Sequence, residues 1–121
     1  MSRLLEIGSK RFTCIHVLDE PGQGGACHEY EVQPANGEQN PPFAKVSFQS
    51  GPIKEFGVNG CHQEDLLAIV IDRLESFQKG NFRCRENAIA ITKVQEALMW
   101  LNARTQKRID RGIEGTNVNH E

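Results

Sequence analysis

Residues 60–115 read GCHQEDLLAIVIDRLESFQKGNFRCRENAIAITKVQEALMWLNARTQKRIDRGIEG, and their spacing decides the fold. Leu66, Leu67, Val70, Ile71, Leu74 and Phe77 recur at steps of three and four, which places them on one helical face. The spacing predicts a helix over 64–78, with Glu64 and Asp65 at the positive end of its dipole. Lys79-Gly80-Asn81 predicts a stop, because Gly and Asn tolerate the left-handed backbone that ends many helices. A second helix is predicted over 85–111, with Ala88, Ile91, Val94 or Gln95, Leu98 and Leu101 as its buried stripe. Arg108 and Arg111 fall in its last turn and Gly112 at its C-terminal cap. A connection this short makes the two helices antiparallel neighbours.

Outward from that hairpin, the preceding residues change period. Arg11 to Leu18, RFTCIHVL, is rich in β-branched and aromatic residues and reads as a strand. Cys27 to Gln33 alternates, with Tyr30 and Val32 on one face and Glu29 and Glu31 on the other. The turn DEPGQGG joins these two segments as a hairpin. Phe43 to Gln49 reads as a third strand with Ala44, Val46 and Phe48 inward, and Ile53 to Val58 as a short fourth. Met1 to Ser9 is a polar leader that adds a turn or an edge strand. Pro34 to Pro42 is loop, and Asn117 to Glu121 a frayed tail. Strands first and helices after argue α+β: a small N-terminal antiparallel sheet over 1–58, then a helical hairpin with a polar tail over 59–121.

Composition narrows the function classes. A chain of 121 residues is one domain, or a small domain with an appendage. The net charge of −2 excludes a general electrostatic attraction to DNA, although Arg104, Lys107, Arg108 and Arg111 crowd the end of the second helix. No apolar run is long enough to cross a membrane and no secretory signal is visible, so a cytosolic protein with reduced cysteines is expected. Cys14/His16, Cys27/His28 and Cys61/His62 are Cys–His pairs, but no CxxC accompanies them, so no metal site is expected. Gly22, Gly24 and Gly25 lack the Lys-Ser/Thr and following helix of a phosphate loop. No cofactor is expected.

The segments LLAIVIDRL, RENA, EALMWL and RTQKRIDRGIEGT, in that order, resemble the helical-hairpin signature of phage anti-Thoeris proteins, a hairpin shared with the phage anti-CBASS sponge. The resemblance covers about residues 57–116. It implies a non-catalytic protein that sequesters a cyclic nucleotide signal, cyclic ADP-ribose isomers of the glycocyclic type, and withholds it from the bacterial immune effector in the host cytoplasm. It also implies a homo-oligomer, dimer or hexamer, with ligand sites between protomers. Some members hold cyclic di- or trinucleotides in separate pockets. Mapped by motif, the implied ligand contacts are Phe77 as the aromatic, Asn87 as the polar group in RENA, and Arg104 and Arg108 as the arginine pair. Arg111 is a weaker addition. No motif places a contact in the N-terminal half, where Lys54 is the basic residue nearest the expected position.

Each of these residues also has a plain structural reading. Arg104 and Arg108 stand one turn apart, suited to a pyrophosphate because Arg forks match phosphate oxygens. They equally suit a solvated helix end that complements the dipole and adds little to stability. Phe77 ends an apolar stripe, so it is either core or a half-exposed surface for a base. Asn87 is in the first helical turn, where capping is the default. Asn87 and Arg104 are 17 residues apart, about 25 Å along a helix, too far for one small ligand to bridge within a single helix, so an antiparallel partner helix and an oligomeric site are favoured. Trp100 and Met99 read as packing against another helix or protomer, and Ile91, Ala97 and Leu98 spread apolar character around more than one face, a surplus that suggests a subunit interface. Two further readings stand beside ligand capture: a structural or protein-interaction module, or weak nucleic-acid binding, through the basic helix end, and an enzyme degrading the same signal that recruits His16, His28 and Glu29.

Overall fold

In the computed structural model, which describes residues 2–9, 11–35 and 41–116, the alternating segments pair as one four-stranded antiparallel sheet. Its strands are β1 (Arg3–Leu4), β2 (Thr13–Val17), β3 (Glu29–Pro34) and β4 (Ala44–Ser47), in that order across the sheet. The period of two sorts their side chains by face. Ile15 opposes Val32, while Val17, Tyr30 and Val46 form a continuous row. Val17 is fully buried, and Tyr30 meets Phe48 edge-on with ring centroids 5.7 Å apart. The opposite face carries the row Leu4, His16, Glu31 and Lys45. On that face the Ser47 hydroxyl also donates to Glu29 at 2.7 Å. Ala44, expected inward, is exposed at the start of the outermost strand.

Between β2 and β3 the glycine-rich stretch makes a tight turn. Gly24 and Gly25 have φ of 75° and 84°, conformations that side chains disfavour. Asp19 holds the turn's far side: its carboxylate accepts the backbone N–H of His28 at 2.9 Å and that of Glu29 at 3.2 Å. Partial desolvation pushes the Asp19 carboxyl up, but these backbone N–H groups and His28 favour the charged form. The net effect is a pKa below its ordinary 3.8.

The short strand expected over 53–58 is instead a helical turn, α1 (Ile53–Phe56). Pro52 starts it with φ of −64°, and its carbonyl accepts the N–H groups of Glu55 and Phe56. Gly57 ends it at φ 73°. The backbone beside β4 is already engaged by Cys61, through Cys61 N–H to Ser47 O and Gln49 N–H to Cys61 O, both 2.9 Å. Gln49 and Asn59 clasp the loop by side-chain bonds to backbone at 2.8–2.9 Å. Gly60 is required there: a Cβ would stand 2.5 Å from the Phe48 carbonyl carbon. Lys54 lies exposed on α1.

The chain divides into two compact units, Met1–Cys61 and His62–Glu121. The second is the hairpin of α2 (Gln63–Gln78) and α3 (Arg85–Asp110), packed against each other as their spacing predicts. Asp65 opens α2 by accepting the His62 N–H at 2.9 Å. The less exposed residues of α2 include Glu64, Leu67, Ile71, Leu74 and Gln78; those of α3 include Ile91, Val94, Leu98, Leu101, Thr105 and Arg108. Both series alternate steps of three and four, the spacing of a packed helix seam. Two expected stripe members fall off it. Val70 is 43% exposed, and Ala88 gives way to Asn87 and Ala90, because each sits one residue around the helix from the seam.

Candidate nucleotide site on the helical hairpin

The helix stop at 79–81 uses a side-chain clamp. Gly80 does not take a left-handed backbone, and the last turn of α2 closes through the N–H groups of Lys79 and Gly80. The Gln78 amide then grips the chain across the turn. Its Nε2 donates to Cys84 O and its Oε1 accepts the Cys84 N–H, both at 3.0 Å. Cys84 caps α3, its sulfur accepting the Asn87 N–H at 3.4 Å.

Within this clamped turn lies an aromatic cluster. The rings of Phe77 and Phe82 are nearly perpendicular, at 84°, with centroids 6.4 Å apart. The Arg73 guanidinium lies 4.8 Å from the Phe77 centroid, a cation–π contact one helical turn earlier. Asn87 Nδ2 donates to the Phe82 carbonyl at 3.5 Å. The structure therefore brings Phe77 and Asn87 to the same end of the hairpin, with Phe82 between them.

The arginines stand at the other end. α3 is longer than α2, so its last turns extend beyond the α2 start. A C-terminal hook covers them. Gly112 takes φ 72°, its N–H reaches Ile109 O at 2.9 Å, and Ile113 N–H reaches Arg108 O at 3.0 Å. These two bonds make the Schellman motif that the glycine's position predicts. Arg108 then turns into the hook. Its Nε donates to Glu114 at 3.0 Å and its Nη2 to the carbonyls of Ile113 and Thr116 at 3.2 and 3.3 Å. At 7% exposure it is a buried charge held by an ion pair, in place of the solvated helix-end arginine considered above. That burial removes the premise on which its removal is expected to leave folding nearly unchanged. Arg104 on α3 and Arg111 at its C-cap are exposed.

Arg73 and Phe82 were not among the residues read from the sequence. The Arg73–Phe77 spacing of four carried a signal; Phe82 belongs to no periodic stripe and gave none. Among the described residues, no three His, Cys, Asp or Glu side chains converge as a metal set, and no helix is long and apolar enough to cross a membrane.

An antiparallel sheet followed by a helical hairpin, with rings at its turn and cations at its far end, makes an α+β chain. Residues 40–106 match the family profile described as Acb2/Tad1, hairpin domain. The chain is also similar to the protein called Thoeris anti-defense 1 from Bacillus phage SBSphiJ7. The two are 52% identical over 96 residues, a stretch covering 79% of this chain and 65% of that relative. The chain belongs to the Acb2/Tad1 hairpin-domain family, as the resemblance of LLAIVIDRL, RENA and EALMWL implied. The matched segment contains Phe77, Asn87 and Arg104 and ends before Arg108.

Proposed function

We propose that this chain is a phage immune-evasion sponge. It captures a cyclic nucleotide of the glycocyclic ADP-ribose type in the host cytoplasm and withholds it, uncleaved, from Thoeris signalling. The observation that carries this reading is the division of chemistry along the hairpin. An aromatic and amide cluster stands at one end and arginines at the other, about 25 Å away. An adenine base suits the first, and a pyrophosphate suits the second. One small ligand meets both when two chains pair antiparallel, so that Phe77 and Asn87 of one protomer face Arg104 of its partner; Arg108 joins by exchanging its hook bonds for the ligand, and Arg111 contributes less. Exposed Trp100 (66%), Met99 and Ile69 provide apolar surface for such pairing. Holding a ground-state ligand needs no acid–base pair. Cyclic di- or trinucleotides form a second ligand class for the same homo-oligomer, dimer or hexamer.

The test is capture and release. The full chain is incubated with glycocyclic ADP-ribose, excess ligand is removed, the protein is heat-denatured and the supernatant is analysed. Intact ligand is the expected result. A cleaved product would make the protein an enzyme on this signal, and no retained ligand would leave the exposed hairpin surface as a protein-interaction face.

A further inference from the structure

We propose that Phe82 is a base-stacking ring of the hairpin site, acting beside Phe77; this rests on the nucleotide-capture reading above. A purine stacks where an aromatic ring offers an open face. Phe77 is half-buried, and the Arg73 guanidinium already occupies one of its faces at 4.8 Å. Phe82, by contrast, is 78% exposed. In a perpendicular pair, one ring directs its edge at the other's face. Whichever ring does so, Phe82 keeps at least one open face.

The surroundings of Phe82 fix its position. The Gln78 amide clamps the turn at Cys84 through two bonds of 3.0 Å, and Asn87 donates to the Phe82 carbonyl itself. A ring that contributes so little to the core is thus presented on a braced backbone, the preorganisation that favours binding. Asn87 consequently acts at this site partly through Phe82, as a positioning residue. Arg73 stands over the Phe77 ring as a cation suited to a phosphate of the same ligand.

The experiment measures calorimetric affinity for glycocyclic ADP-ribose in the parent, Phe82→Leu and Phe82→Tyr proteins, with solution mass by light scattering and a thermal melt for each. Phe82→Leu should melt with the parent, keep its mass and bind about ten- to a hundredfold more weakly. Phe82→Tyr, which restores a ring, should bind within about threefold of the parent. Equal binding by the parent and Phe82→Leu overturns the proposal while leaving nucleotide capture intact. Weaker binding with a reduced mass also overturns it, since Phe82 would then be a subunit contact. A parent that does not bind removes both this proposal and the reading beneath it.

Discussion

The two ends of the hairpin hold their functional side chains in opposite ways. At the turn, neutral amide bonds brace the backbone and leave Phe82 open to solvent. At the hook, a charged side chain is buried and its hydrogen-bonding capacity is directed into the chain's own carbonyls and Glu114. The turn end keeps its recognition surface separate from the bonds that support it. The hook end does not: Arg108 contributes to the fold and is also the residue nominated for a phosphate. Substitutions at the two ends should therefore divide differently between stability and binding.

The largest separation is expected at the hook. Arg108→Ala leaves Glu114 and two carbonyls without their charged donor, and should cost about 1.5–3 kcal/mol of stability. Urea melts of the full chain check this, and a melt matching the parent would show that the hook stands without the ion pair. Phe77→Ala comes next, at about 2 kcal/mol, below the ~3–5 kcal/mol of a fully buried Phe because the ring is half-exposed. A larger loss would assign Phe77 to the core. Arg104→Ala should alter stability by less than about 0.5 kcal/mol while weakening capture of glycocyclic ADP-ribose by about 1.5–3 kcal/mol. Normal capture by that variant would remove Arg104 from the site.

The smallest effect concerns Asp19, a carboxylate held by backbone N–H groups on the sheet unit and so a control for the guanidinium-held Glu114. Its folded pKa lies below its ordinary 3.8. Its contribution is therefore fully present above that ordinary value and is lost as pH falls through the lower folded value. Asp19→Asn should flatten the acid limb of a circular-dichroism titration below about pH 4 and leave the neutral region with little pH dependence. An acid limb identical to the parent's would show that other carboxylates set it.

Local periodicity explains why the helices were legible. Leu67, Ile71 and Leu74 announce the α2 seam, and Ile91, Val94, Leu98 and Leu101 that of α3. Gly112 was legible because a left-handed cap has few alternatives. α1 was misread because Ile53 to Val58 has strand-like composition, whereas the outcome depends on Pro52 and on Cys61 engaging the backbone beside β4. The burial of Arg108 was not legible because it depends on residues 113–116 folding back, a tertiary event with no periodic trace. The terminal tail and most of the 34–42 loop lie outside the described residues.

The clamp also separates two properties of Cys84 that usually travel together. Its backbone is fixed by Gln78, while its side chain is exposed; Cys27 is buried and Cys14 and Cys61 are half-buried. A maleimide dye at limiting concentration should therefore mark Cys84 first. That gives an optical reporter two residues from Phe82, attached at the sulfur that caps Asn87 and leaving the Gln78 bonds to the Cys84 backbone in place.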